Sequence, residues 1–311
     1  MNTRRISWNG ISLLVPSNWE IVVYKFLRKG VSRIELEDEY AMRMEIEWVQ
    51  PRAAVQIETI LQRYEKAAKK LTRRADVKHP VSNLPEGWVA TQYIFRESLP
   101  GRSRGGLVVV EHSLLTAFYL CPKSSLFCFI LVHVLPDDKE DAVEIIRLAA
   151  SEFQNHVAAE LVPWQLFDIS LETPREFRLS QAQFGIGGKH MLFTWRRRRF
   201  FLWFFSCSDM ILRDNAVLEE WMAGYLNGFS NIKGPVFYPG TDGKLTWKRR
   251  SGHPLGHRDE LVRGCLRYMI RCHHDVERKQ LAAWVFHYRK DDDLRVIPEK
   301  LWFGAGNPRS A

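Results

Sequence analysis

A nine-residue phrase occurs twice in this chain, and that repetition constrains the fold more than any other feature. Ile11-Ser12-Leu13-x-x-Pro16-x-x-Trp19 returns as Ile169-Ser170-Leu171-x-x-Pro174-x-x-Phe177, each matched position displaced by the same interval. Each copy should then fold to one design, so the duplication governs every later assignment. A length of 311 residues suits two domains of ordinary size.

The correspondence continues as pattern. Lys29-Gly30 aligns with Gly187-Gly188 as a turn signal, followed by paired strand patterns at Ile34 to Leu36 and Met42 to Trp48, and at Met191 to Trp195 and Phe200 to Phe205. Ile57, Ile60, Leu61, Tyr64, Ala68 and Leu71 recur at helical spacing; in the second copy Leu218, Trp221, Met222, Tyr225 and Phe229 do so, after a capping Asp214. Trp88 then matches Trp247, Leu107 to Ser113 matches Val262 to Tyr268, and Phe127 to His133 matches Leu281 to His287. Each copy reads as four strands, a helix and three strands. A closing helix follows Pro136 in the first, capped by Asp137 or Asp138, with Ala142, Ile145, Ile146, Ala149 and Phe153 facing inward. Pro298 leaves the second copy without a full closing helix. The expectation is an α+β protein of two tandem, pseudo-twofold-related repeats, over residues 1–156 and 160–303, with a flexible tail at 304–311.

A content of 46% hydrophobic residues is enough for both copies to bury a core. The amino terminus enters a strand pattern without a signal-peptide core, and no apolar run reaches the ~20 residues of a spanning helix, which points to a cytoplasmic protein without membrane insertion. Five cysteines, an odd number set mostly in strand patterns, argue against a disulfide framework. The net charge of +9 lies mainly in the second half and permits anionic partners.

The phrase built on Gly10, Ile11, Leu13, Pro16 and Trp19, echoed at Ile169, Leu171, Pro174 and Phe177, resembles the opening of PsbP/DcrB-like domains, as does the element order after it. That superfamily includes a Ran-binding nuclear import factor and bacterial effector chaperones. Its members chiefly bind or position other proteins, so the resemblance implies a non-enzymatic role and transfers no catalytic residue.

The most conspicuous local feature is Trp195-Arg196-Arg197-Arg198-Arg199-Phe200, an arginine run between aromatics at an expected hairpin tip. Guanidinium forks grip phosphates and aromatic faces stack on bases, so the run, extended by Lys248-Arg249-Arg250, is a candidate polyanion site. The competing readings are a solvated turn that keeps an aromatic-rich hairpin soluble, which is the default, and a contact with the other copy or a partner protein. Lys69-Lys70 and Arg73-Arg74 on the first helix offer further positive charge. Phe200 to Phe205 is apolar at both parities and should be covered on both faces, whereas Met42 to Trp48 alternates and should keep one wet face. His253, His257, Cys265, Cys272, His273 and His274 include ligand types suited to zinc, but their spacing matches no zinc motif and the two cysteines fall far apart along a strand, so no metal is expected. Gly185 to Lys189 reads as a turn rather than a phosphate loop, and His133 and His287 as packed strand residues. No cofactor is called for. The expected role is a protein-binding scaffold, adaptor or chaperone; the alternatives are a nucleic-acid or polyanion binder using the basic hairpin, and an enzyme of unrecognised type.

Overall fold

The computed structural model describes residues 2–26, 31–49, 54–100, 107–121, 123–135, 138, 141–156, 158–166, 169–185, 187–213, 217–251, 258–297 and 302–303. The chain divides into two compact units, Met1–Leu171 and Glu172–Ala311. Both are built mainly of antiparallel strands with a few helices, an α+β fold. All five cysteines are free.

In the first unit β1 (Thr3–Trp8) and β2 (Ile11–Pro16) form a hairpin through Asn9 and Gly10, at φ 45° and 93°. The chain continues through β3 (Glu20–Phe26), β4 (Ser32–Glu37), β5 (Met42–Val49), helix α1 (Ala54–Leu71), β6 (Val77–Pro80), β7 (Trp88–Pro100), β8 (Leu107–Leu120) and β9 (Phe127–Val134). It ends with helix α2 (Ala142–Ser151), β10 (Gln154–Asn155) and β11 (Leu161–Leu166). Strands β3 to β9 make one sheet in the order β3-β4-β5-β9-β8-β7-β6. Five strands therefore precede α1 and four follow it, one more on each side than the sequence reading, the later one being the short, exposed β6.

Register explains the core. Ile34 faces Ile46, Leu36 faces Met44 and Ile46 faces Ile130, so the centre of one sheet face is apolar and fully buried. Helix α2 packs on β2, β8 and β9 with Ala142, Ile145, Ile146 and Ala149 buried. Its cap is Asp141, whose carboxylate accepts the Val143 N–H at 2.8 Å; Asp138, expected there, instead accepts the Leu135 N–H and pairs with Arg43. Asp137 and the Lys29-Gly30 turn lie outside the described residues. On α1, Tyr64 and Ala68 are buried, and Tyr64 sits 5.0 Å from the rings of both Phe127 and Phe129. The unit extends past residue 156 because β11 pairs with β1, Gln165 opposite Ser7.

Across the division run β12 (Ile169–Pro174) and then the second unit: β13 (Arg178–Gly185), β14 (Gly188–Trp195), β15 (Arg198–Ser206), α3 (Ser208–Ile211), α4 (Leu218–Gly228), β16 (Pro235–Pro239), β17 (Leu245–Arg249), α5 (Arg258–Arg263), β18 (Arg267–Asp275) and β19 (Gln280–Tyr288). A 3-10 turn follows over Asp291–Val296. The sheet order is β13-β14-β15-β19-β18, and the β16-β17 hairpin adjoins β18 through a bridge between Lys244 and Arg271. Every residue from Phe200 to Phe205 is buried. Phe201, Trp203 and Phe205 share a core with Met222, Ala223 and Leu226 of α4, while Phe200 on the other side packs with Phe177, Phe193, Trp284 and Phe286.

Two assignments change. Residues Val262 to Tyr268, read as strand, open inside α5, where Arg-Asp-Glu-Leu-Val-Arg favours helix until Gly264, at φ 62°, ends it; β18 begins only at Arg267. Helix α4 is rotated from the expected phase, burying Met222, Ala223 and Leu226 and leaving Trp221, Tyr225 and Phe229 half-buried at its shoulder. Its N-cap is Val217, without a side-chain bond, and Asp214 lies outside the described residues.

At Gly234 an added Cβ would clash with the side-chain carboxylate of Glu260, itself buried and bonded to Tyr268 Oη at 2.8 Å. Gly234→Ala should lower stability by about 1–3 kcal/mol, read as a smaller urea midpoint with an unchanged m-value.

Candidate functional site

The arginine run sits at a hairpin tip but does not form one surface. Trp195 pairs with Arg198 across the turn, Arg196 takes the left-handed φ of 53°, and Arg196 and Arg197 are exposed. Arg198 stacks 4.6 Å from the Trp195 ring and bonds the buried Asp293 carboxylate at 2.7 Å. Burial alone would raise the Asp293 carboxyl, but Arg198 and the backbone N–H groups of Lys290 and Arg289 outweigh it and hold it low. Arg199 is buried, lies 5.2 Å over Phe201 and donates to His287 Nδ1 at 3.2 Å and to the Asn231 carbonyl at 3.5 Å. Alternation along β15 explains the split, since successive side chains point to opposite faces.

The companion run behaves similarly. Lys248 and Arg249 are exposed, with the Lys248 ammonium 5.8 Å from the Tyr238 ring, while Arg250 is half-buried and donates to the Asn227 carbonyl in the last turn of α4 at 3.4 Å. A guanidinium there satisfies an orphan carbonyl and meets the negative end of the helix dipole.

The possible metal ligands are dispersed. His253 and His257 lie outside the described residues. The Cys265 thiol faces the Arg197 and Arg263 carbonyls, Cys272 faces the Gly243 carbonyl at 3.3 Å, His274 bonds Ser208 Oγ at 2.8 Å and His273 is exposed. Burial pushes both thiols up, Cys272 to about 12. Among the described residues no three His, Cys, Asp or Glu side chains converge as a metal site.

Two features went unread in the sequence. The first is the face of β4 and β5 expected to be wet: Arg33 sits opposite Glu47 and Glu35 opposite Glu45, and the Arg33 guanidinium bonds all three carboxylates. Burial would lower Arg33, but Glu45, Glu35 and Glu47 together raise it. His133 bonds Glu45 at 3.0 Å, the main cause that holds the Glu45 carboxyl low, and Tyr64 Oη donates to Glu47. The face is thus filled by paired charge beneath α1 rather than by water. Opposite charges on adjacent strands were the available signal.

The second feature is a groove of about 610 Å³ along α4, lined by Glu220, Trp221, Gly224, Tyr225, Gly228 and Phe229. Trp221 and Tyr225 stack with centroids 5.5 Å apart and Tyr225 and Phe229 follow at 6.5 Å, a ladder along one edge. The sheet braces it edge-on: Phe205 against Trp221 and Tyr225 at 5.1 and 5.0 Å, and Trp203 against Phe229 at 5.2 Å. Gly224 and Gly228 form the floor, and a Cβ on either would meet nothing within 4 Å. Glycine at an interior helical position such as Gly224 costs stability relative to alanine, and no contact among the described residues calls for it there. The spacing Gly-x-x-x-Gly was the sequence signal.

Beneath the ladder, His190 is buried, stacked 5.4 Å from Trp203 and edge-on to Phe229 at 5.1 Å, with no hydrogen-bond partner at Nε2 among the described residues. Burial lowers its pKa from 6.5 to about 4. Between those values the unfolded chain takes up a proton that the folded chain refuses, so stability should fall as pH drops through that window. His190→Phe should keep the stack and remove this part of the acid slope, measured by urea unfolding at pH 7 and pH 5.

No helix among the described residues is long and apolar enough to cross a membrane. No family model and no curated protein matches the chain. Two solved structures align with 94% of it and 90% of their own chains, each at a TM-score of 0.18: a crystal structure of MucB in complex with MucA(peri), at 9% identity, and the complex structure of Pseudomonas aeruginosa MucA/MucB, at 10%. A superposition that loose assigns neither fold nor role.

Proposed function

We propose that this chain is a non-enzymatic protein-binding module, two copies of a PsbP/DcrB-like domain in tandem, that holds an apolar segment of a partner protein in the groove along α4. Support for duplication comes from strand order: β3-β4-β5-β9-β8-β7-β6 in the first unit, and β13-β14-β15-β19-β18 followed by β17 and β16 in the second. Support also comes from bounds, since β1 and β2 (Thr3–Trp8, Ile11–Pro16) and β11 and β12 (Leu161–Leu166, Ile169–Pro174) are displaced by one interval. Ser7 of β1 pairs opposite Gln165 of β11, the residue at the equivalent place in the repeat.

The observation that carries the binding role is the open aromatic ladder over a glycine floor. Rings already fixed by Phe205 and Trp203 lose little freedom when a ligand covers them, so apolar contact there converts to affinity with a small ordering cost. The floor lets a backbone approach α4 closely, and the exposed Glu220 carboxylate at the edge favours a cationic neighbour in the bound segment.

Random peptides displayed and selected on the full-length chain should enrich apolar sequences carrying a basic residue, and these should change Trp221 fluorescence. Gly224→Leu with Gly228→Leu fills the groove at positions with room for side chains. That variant should keep its melting temperature within a few degrees and bind the selected peptides at least tenfold more weakly. Peptides that bind it unchanged would remove the groove from the account.

A further inference from the structure

Five described arginines of the first unit pair with carboxylates, and Arg147 donates to the Ser82 carbonyl at 3.4 Å. Arg4 meets Glu20 at 2.8 Å, Arg5 meets Glu152 at 2.9 Å, Arg96 meets Glu111 at 3.1 Å, and Arg33 and Arg43 are each shared among several acids. The C-terminal half of α1 is the exception. Lys66, Lys69 and Lys70 on the helix, Arg73 and Arg74 in the turn after it, and Lys78 on β6 are all exposed, and none is in an ion pair with a carboxylate among the described residues. The nearby Asp76 carboxylate accepts the Arg96 backbone N–H at 2.7 Å instead of neutralising them.

Helix geometry gathers these cations. Lys66, Lys70 and Arg73 follow each other at intervals of four and three, and Lys69 stands four before Arg73, so they share the arc opposite the buried Tyr64, Ala68 and Thr72. Thr72 keeps the last turn helical, its N–H reaching the Ala68 carbonyl at 2.9 Å. A helix C-terminus favours one or two cations through its dipole, but like charges at these spacings repel, and a cluster of this size is not accounted for by the helix itself.

We infer that this row binds the phosphate backbone of a nucleic acid. Lys66 to the end of α1 at Leu71 runs about 7.5 Å along the axis and the turn carrying Arg73 and Arg74 prolongs it, enough for one strand of a duplex to present about three phosphates. It is a row, flanked by the exposed Glu65 and Asp76, rather than a broad plane suited to a bilayer. Tyr64 and Ala68, on the same stretch of the helix, are turned into the core and so are not offered to lipid. Contacts to phosphate oxygens carry no sequence information, so binding through this row should be independent of sequence. It is also independent of the α4 groove, and the groove-filled variant should retain it.

The test is fluorescence anisotropy of the full-length chain with a labelled 20-base-pair DNA duplex and with a 20-nucleotide RNA, at several salt concentrations. Affinity should fall with added salt along a log–log slope of about −3, as expected for about three phosphate contacts. Lys69→Gln with Lys70→Gln and Arg73→Gln should weaken binding at least tenfold and flatten the slope by about two, with the melting temperature preserved. Arg196→Gln with Arg197→Gln, on the exposed hairpin tip, should change affinity less than twofold. If the triple variant melts early, Lys66→Gln with Arg74→Gln should still weaken binding several-fold. Failure of both polymers to bind, loss of binding only in the hairpin variant, or capture only by phosphatidylserine vesicles would each overturn the inference.

Discussion

Burying both faces of a central strand is the constraint from which the second unit follows. Strand β15 carries six successive large apolar residues, and leaving either face in water would forfeit roughly 1.5–3 kcal/mol per side chain. One face is closed by the Met222, Ala223 and Leu226 stripe of α4, the other by Phe177, Phe193, Trp284 and Phe286. A stripe of that phase leaves Trp221, Tyr225 and Phe229 on the helix shoulder, propped against Phe205 and Trp203. The ladder is a by-product of covering β15. Gly224 and Gly228 then leave its neighbouring space open.

The first unit meets a similar demand by electrostatics. Three carboxylates converge on Arg33 beneath α1, with His133 and Tyr64 occupying further acceptor positions. Such a set gives modest net stability because each charge must be stripped of water, yet removing one partner leaves the rest uncompensated, at a cost of about 3–5 kcal/mol for a buried pair. Rigidity rather than affinity is what this face provides, since every strong donor and acceptor is already engaged.

Much of this was legible in the sequence, and the exceptions have physical causes. The repeated phrase located β2 and β12 to the residue, because a strand ending in proline and followed by a buried aromatic leaves a fixed spacing. Alternation located β5, and an unbroken apolar run located β15 as a doubly covered strand. The Asn9-Gly10 turn was equally readable and passed over. Helix α5 was misread because six residues carry too little periodicity to tell a helix from a strand. The phase of α4 was misjudged because three aromatics outweighed Ala223 and Leu226 in any reckoning by hydrophobicity, Met222 being the one buried position read correctly. The arginine run looked uniform in one dimension; strand alternation and the partners Asp293, His287 and Asn231, distant in sequence, divided it.

The outer edges of the first sheet close off one mode of association. Strand β6 is only four residues long, exposes Lys78 and ends at Pro80, which has no N–H to offer a neighbour. Beyond it the Arg96 N–H of β7 is taken by Asp76, and at the opposite margin β3 is offset by an irregularity between Ile21 and Val23. A foreign strand meets a short, proline-ended neighbour at β6 and an irregular one at β3, so these parts of the margins are poor templates for fibrils or for an extended peptide. Recognition there falls to side chains.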